Sequence, residues 1–278
     1  MMTTEQAVLE LRRDPAYADL VRDAYLGRDV ADSAGRFAAS GEFAEVRRIL
    51  GRRLAGATIV DLGAGVGIAS LAFVKAGAGR VVAVDPDPSD EVGRGAMARL
   101  AEGGEFEIMD GVGEALPLPD ASVDVVYCRQ VLHHSTNLAR VLAESARVLR
   151  PGGLFLACRE HVVDDEAQLR RFLDEHPVNR LAGGEHAFRL PEYLNAIRSS
   201  GLTVDRVLGP WDSVINVFPG ARTEAELEAM LRARLVHRLG PAGRLAIHLP
   251  GMRAAVRRRL DKRLPGRLYS FVAHKPGR

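Results

Sequence analysis

The chain has only 2 cysteines and 1 tryptophan among 278 residues, and aromatic residues make up just 5% of it. Neither Cys128 nor Cys158 belongs to a C-x-x-C pair, and each sits in an apolar, strand-like run. That excludes a zinc ribbon or a dithiol redox motif and reads as two reduced core thiols. No apolar run approaches the roughly 18 residues that would cross a bilayer. The opening "MMTTEQAVLELRRDPAYADL" is acidic and amphipathic, where a secretory signal would be basic and then uniformly apolar, so a cytoplasmic location is expected. The sequence also lacks internal repeats and low-complexity tracts.

What is present is an ordinary globular composition, 47% hydrophobic and 27% charged, long enough to bury a core of one large domain. The net charge of +2 hides an asymmetry. Residues 221–278 hold 14 Lys/Arg against 4 Asp/Glu, while the remainder holds 24 against 32.

Residues 3–52 show three-to-four spacing of apolar side chains, as in Phe37, Phe43, Val46, Ile49 and Leu50, and read as helices. The period then changes. Short β-branched or apolar runs at 57–63, 80–86, 105–110, 123–128 and 153–160 read as strands buried on both faces, with helical segments between them, including 137–150. Strand alternating with helix implies a doubly wound parallel α/β sheet. A helix over 164–175, a His- and Gly-rich loop, a helix over 190–200 and a strand near 202–208 follow. Basic helical stretches at about 222–239 and 252–264 precede "RLYSFVAHKP", read as a last strand. The chain thus divides into an N-terminal helical cap (1–52), an α/β core (53–220), a basic helical insertion (221–266) and the core's final strand (267–278).

The stretch "IVDLGAGVGIASL" (59–71) reads as strand, tight turn and helix. Gly63, Gly65 and Gly67 let a ligand lie against bare backbone. A dinucleotide fingerprint places its third glycine one position later, where Ile68 stands here. Asp61 just before the loop would repel a pyrophosphate and attract a ligand carrying ammonium and sulfonium groups, so the pattern favours S-adenosylmethionine. Asp85 ends the second strand, where a carboxylate can accept both ribose hydroxyls.

With these residues in view the chain resembles the class I S-adenosylmethionine-dependent methyltransferases, particularly the branch that includes the ubiquinone/menaquinone biosynthesis methyltransferases. "VDLGAGVG", "VVAVDPDP", "GEALPLPDASVDVVYCRQVLHH" and "RVLRPGGLF" match four successive blocks of that family over roughly residues 57–157. The resemblance implies a Rossmann-like, seven-stranded sheet with an antiparallel last strand. It also implies S-adenosyl-L-methionine as cofactor and S-adenosyl-L-homocysteine as product. Carried over, the cofactor would rest on Asp61, Gly63, Ala64, Gly65 and Gly67, with Asp85 and Pro86 at the ribose and Gly111, Val112, Gly113 and Glu114 at the adenine. Arg129 would lie near the methionine end, and Arg36 would pair with the cofactor carboxylate from a helix over the site. The family's Gly-Asp-Ala-Glu is replaced by Gly111-Val112-Gly113-Glu114, with the acid displaced to Asp110, which puts adenine-amino recognition by that acid in doubt.

Methyl transfer needs an acceptor atom held near attack distance and, for a neutral acceptor, a base. His161, His133 and His134, with Glu160, are the candidates at the strand ends, and Glu185 and His186 lie on a glycine-hinged loop that would line or cover the acceptor. No metal is expected, since His133, His161, His176 and His186 show no H-x3-H spacing. The acceptor is read as a small molecule methylated at oxygen, with nitrogen and carbon as alternatives. For the basic insertion a solvated structural role ranks first and an anionic or lipid-linked acceptor second. RNA ranks last, because residues 221–266 contain no aromatic residue for base stacking. An RNA methyltransferase and a non-catalytic adenosyl-binding protein are the competing functions.

Overall fold

The computed structural model describes residues 2–240, 255 and 266–277, without the side chains of 238 and 239. Four helices come first: α1 (Thr4–Arg13), α2 (Ala18–Asp23), α3 (Val30–Ala38) and α4 (Gly41–Leu50). Then β1 (Thr58–Leu62), α5 (Ile68–Lys75), β2 (Arg80–Asp85), α6 (Arg94–Leu100), β3 (Glu107–Asp110), β4 (Val123–Arg129), α7 (Leu138–Val148) and β5 (Leu149–Val163) build the centre of the sheet. The rest comprises α8 (Glu166–Glu175), α9 (Pro177–Ala182), β6 (Phe188–Arg189), α10 (Leu190–Ser199), β7 (Thr203–Leu208), α11 (Val214–Val217), α12 (Glu224–Leu239) and β8 (Arg267–His274).

Strand order is β3-β2-β1-β4-β5-β8-β7, with the two-residue β6 beside β5. All pairings are parallel except those of β8, which runs antiparallel to both β5 and β7. The order reverses between β1 and β4, and the crevice above their carboxyl ends is where open sheets of this kind bind ligands.

Side-chain alternation explains the layers. Ile59 of β1 and Val125 and Tyr127 of β4 face a core shared with Phe37, Phe43, Val46 and Phe73 of the α3, α4 and α5 helices. Val60, Leu62, Val126 and Cys128 face the other way, onto α7 and α10 through Val141, Leu142, Tyr193 and Ile197. Phe37, Phe43, Phe73 and Tyr127 make successive ring contacts with centroids 5.3, 5.4 and 5.0 Å apart, so one aromatic chain ties the N-terminal helices to the middle of the sheet. Each such fully buried ring contributes on the order of 2–3 kcal/mol by leaving water.

The expected strands and helices are found with small shifts in their ends, but three details differ. No helix separates β3 from β4: residues 111–122 form a looped link closed by a Val112–Ala115 bridge. Strand β5 is almost twice its expected length, beginning at Leu149, which pairs with Val123. The basic stretch 252–264 lies outside the described residues, apart from helical residue 255. Helix α12 is held by a small core in which Trp211, Leu227 and Leu231 meet, with the Arg234 guanidinium 4.4 Å over the indole. Both cysteines are buried free thiols. Among the described residues no helix is long and apolar enough to cross a membrane.

Candidate active site

Between β1 and α5 the backbone turns through Gly63, Gly65 and Gly67, with φ of 66°, 56° and 81°. These left-handed values are what a side chain resists, and at Gly63 and Gly67 space is short as well. A Cβ at Gly63 would lie 2.5 Å from Val131 Cγ2, and one at Gly67 would lie 2.8 Å from Met97 Cγ. Gly65 has open space, with nothing nearer than Val92 O at 3.8 Å. The amides of Gly63 and Ala64 donate to Val84 O at 2.8 and 3.2 Å, pinning the turn to β2.

Asp61 is 2% exposed and accepts a 2.6 Å hydrogen bond from Ser70 Oγ. Burial raises its pKa to about 7, with Asp85 adding to the rise against the Ser70 hydrogen bond. The unfolded chain ionises this carboxyl near pH 4. Between there and about 7 the folded state holds the extra proton, so stability falls as pH rises across that window. Asp61→Asn is expected to remove this fall, which amounts to a few kcal/mol at most. Urea midpoints at pH 5 and pH 8 check it, and an unchanged difference in the variant would refute the assignment.

Asp85 is 7% exposed at the end of β2, and burial raises its pKa. Its Oδ2 accepts from Gly65 N at 2.8 Å and its Oδ1 from Asp87 N at 2.9 Å. Each carboxylate oxygen has a second lone pair, so two ribose hydroxyls can still be accepted. A cavity of about 510 Å3 opens beside it, walled by Gly63, Pro86, Gly111, Val112, Gly113 and Val131. Val112 is 44% exposed, an apolar face without a covering side chain, and suits the flat face of an adenine. Glu114 lines the same cavity, but its Oε1 accepts from Thr136 N, Thr136 Oγ1 and Asn137 N at 3.1–3.2 Å, so it holds the turn before α7. Asp110 points away: it is 72% exposed and pairs with Arg94 at 2.8 Å.

The methionine end differs from expectation. A smaller recess of about 150 Å3 joins Asp61, Gly63 and Gly65 to Tyr25, Arg12 and Arg129. Arg129 is there, but its guanidinium forks onto the fully buried Glu42, with Nε and Nη2 at 2.6 and 3.1 Å from the two carboxylate oxygens. Arg36 is not part of this wall. It bonds Asp32 at 2.7 Å and the Arg22 carbonyl at 2.7 Å and lines a separate cleft with Phe218 and Pro219, because α3 turns that face away from the glycine loop. Arg12 of α1, paired with Glu91, lines the recess instead.

A third cavity, about 380 Å3, adjoins the glycine loop on its other side. Imidazoles of His133, His134, His161 and His176 line it with Gln130 and Glu185, and Val8, Leu20 and Leu26 of the N-terminal segment supply an apolar wall. Backbone irregularities aim these groups. Gln130 leaves β4 at φ 57°, and Arg159 sits at φ 61° where one extra residue bulges β5 against β8 between Ala157 and Glu160.

Glu160 is fully buried and does not face the cavity as a base. Its carboxylate accepts from Val131 N at 3.1 Å, His133 N at 3.2 Å and His133 Nδ1 at 2.8 Å, so it is a positioning residue for the 131–134 turn. An acceptor in all three bonds, it assigns the proton of His133 to Nδ1. His161 Nδ1 lies 2.7 Å from Gly266 O and His134 Nδ1 lies 3.3 Å from Gly184 O. Carbonyls only accept, so both rings carry a proton on Nδ1, and the neutral His161 ring presents Nε2 as a lone pair. Burial lowers the pKa of His161 to about 3 and that of His133 well below the usual value, keeping both neutral. His186 stays out of the cluster, its ring 4.6 Å from that of Phe188.

Sequence reasoning missed Glu42, Arg12 and the Asp85–Gly65 amide bond, none of which has a local signature. It also discounted metal ligands on spacing, whereas the fold brings ligating atoms of His133, His134 and Glu185 within 4.8 Å of one another.

The methyltransferase domain family matches residues 60–157. A ubiquinone/menaquinone biosynthesis C-methyltransferase of Acidiphilium cryptum is 44% identical over 101 residues, covering 35% of this chain and 40% of the relative. An uncharacterized methyltransferase of Bacillus subtilis is 32% identical over 130 residues, covering 46% of this chain and 49% of the relative. The chain thus spans less than half the length of either. The crystal structure of a sarcosine dimethylglycine methyltransferase from Galdieria sulphuraria superposes with a TM-score of 0.56 at 19% identity, over 89% of this chain and 88% of that one, a likeness of fold. Sheet order, glycine cradle and sequence match agree: residues 60–157 carry a methyltransferase domain, set in a sheet with the fold of S-adenosylmethionine-dependent methyltransferases.

Proposed function

We propose that the protein transfers the methyl group of S-adenosylmethionine to an oxygen of a small-molecule acceptor seated in the histidine-lined cavity. The observation that carries this reading is that the cavity beside Val112 and the histidine cavity meet at Asp85, Gln130 and His134, so a cofactor and an acceptor can abut there. In this reading the turn at Gly63–Gly67 and Asp61 take the methionine portion, Asp85 the ribose, and Val112 between Gly111 and Gly113 the adenine. When bound, the cofactor supplies a methyl carbon activated by positively charged sulfur. The protein's part is to align the acceptor oxygen and to receive its proton.

His161 is the proposed base. Its ring is fixed through Nδ1, and among the described residues no hydrogen bond reaches Nε2. As the acceptor oxygen takes up the methyl group that the cofactor would supply, its proton would pass to His161 Nε2. Among the described residues no Lys or Arg lines this cavity, which favours an uncharged acceptor with an apolar body over an anionic one.

Incubation with methyl-labelled cofactor and a panel of phenols, hydroxyquinones and aliphatic alcohols tests the proposal through release of S-adenosylhomocysteine and recovery of the O-methyl product. His161→Ala is expected to lower kcat about 100-fold, the usual worth of a general base, with little change in cofactor affinity and partial rescue by added imidazole. An unchanged kcat would remove His161 from the chemistry.

A further inference from the structure

We propose that His133 Nε2, His134 Nε2 and Glu185 Oε2 form a binding site for a divalent transition metal of the zinc class, facing the histidine-lined cavity. The argument starts from protons. His133 and His134 both spend their ring hydrogen on Nδ1, toward Glu160 at 2.8 Å and Gly184 O at 3.3 Å. Their Nε2 atoms are the ring positions left for a ligand, and they lie 3.7 and 3.8 Å from the same carboxylate oxygen, Glu185 Oε2. That oxygen is buried and, among the described residues, accepts no hydrogen bond, and the Glu185 side chain is 8% exposed. Three atoms able to ligate thus converge within 4.8 Å of one another around a buried, unsatisfied carboxylate oxygen, which a cation would satisfy.

The geometry suits a metal. Two imidazoles and one carboxylate are a common catalytic ligand set that leaves positions open. With metal–ligand distances of about 2.0–2.2 Å, tetrahedral ligand atoms sit about 3.3 Å apart, so each Nε2 needs to draw toward Glu185 Oε2 by about half an ångström. The supporting shell is already built: a buried carboxylate on His133 Nδ1 and a backbone carbonyl on His134 Nδ1 are the usual partners of ligating histidines. His176, whose Nδ1 is 3.6 Å from Glu185 Oε1, stands on the other side of that carboxylate. An ion here faces the cavity assigned to the acceptor. As far as the proposed methyl transfer holds, this narrows the acceptor to molecules with an oxygen that can complete the coordination.

The test uses metal alone and needs no turnover, so its failure is separate from failure of the methyl-transfer reading. Chelator-stripped full-length protein is titrated calorimetrically with Zn2+, and with Co2+ while visible absorption is followed. One ion per chain is expected, with a cobalt ligand-field band from nitrogen and oxygen ligands. Glu185→Gln keeps the shape and removes the charge, and His134→Ala alters a half-exposed side chain; each is expected to weaken Zn2+ binding at least about 10-fold. Circular dichroism confirms that both variants remain folded. His186→Ala, one residue from Glu185 but turned to Phe188, is expected to bind Zn2+ as the wild type does. No uptake by the wild type, which would leave a proton as the cation, overturns the site. So does uptake that survives both ligand substitutions, or uptake lost equally in His186→Ala.

Discussion

Replacing Glu42 with alanine is expected to destabilise the protein by about 3–5 kcal/mol, the usual cost of stripping one partner from a buried ion pair. For a chain of this size that lowers Tm by roughly 10 °C. Glu42 is fully buried in the first turn of α4, forked onto Arg129, with Arg159 Nη1 3.9 Å away. Without it two guanidinium groups, 12% and 11% exposed, would face each other without the carboxylate between them. Among the described residues Arg129 would keep a hydrogen bond to Gln130 Oε1 at 2.9 Å and its place over the Tyr25 and Phe37 rings, and Arg159 the carbonyls of Ile215 and Phe218 at 2.6 and 2.9 Å. Gln130 walls two of the cavities, so ligand binding should weaken with the fold. Urea unfolding at neutral pH measures the loss. A value below about 1 kcal/mol would mean that water or an anion compensates the arginines.

Asp85→Ala is expected to weaken binding of S-adenosylhomocysteine about 100-fold, or about 2.7 kcal/mol. The carboxylate that would accept the ribose hydroxyls, together about 3 kcal/mol at the low end for charge-assisted hydrogen bonds, would be lost, along with the acceptor that holds the Gly65 amide. Asp110→Ala is the matched comparison, since Asp110 sits one strand over and pairs outward with Arg94. It should change affinity by less than about twofold. Calorimetric titration of the two variants decides: equal affinities would remove Asp85 from the cofactor.

The sheet was legible because a strand buried on both faces must be apolar along most of its length, and 57–63, 80–86 and 123–128 each carry a β-branched or apolar run interrupted only by single polar residues such as Asp61, Asp85 and Asp124. The glycine turn was legible because three left-handed residues in five positions exclude most side chains. What stayed hidden depends on partners distant along the chain. Glu42 and Arg129 are 87 positions apart, and α4 gives no sign that its first-turn acid points inward. Arg36 is expected over the cofactor because an arginine on a helix beside the site suits a carboxylate; the fold turns it to a separate cleft, and Arg12 lines the recess by the glycine loop. The looped link after β3 carries the prolines Pro117 and Pro119, a visible warning against the helix expected there. The convergence of His133, His134 and Glu185 arises from a turn held by Glu160 and a loop anchored through Asn179, neither of which leaves a periodic trace.

The additional residue in β5 at Cys158–Arg159 works as a parity counter. Without it, the side chains beyond would exchange sides of the sheet, bringing the Glu160 carboxylate to the cavity and turning the His161 imidazole toward the amides of Val131 and His133 that Glu160 now holds. Length along this strand is therefore as restrictive as composition. A deletion here would rewrite the chemistry offered to a ligand while leaving every functional side chain in the polypeptide.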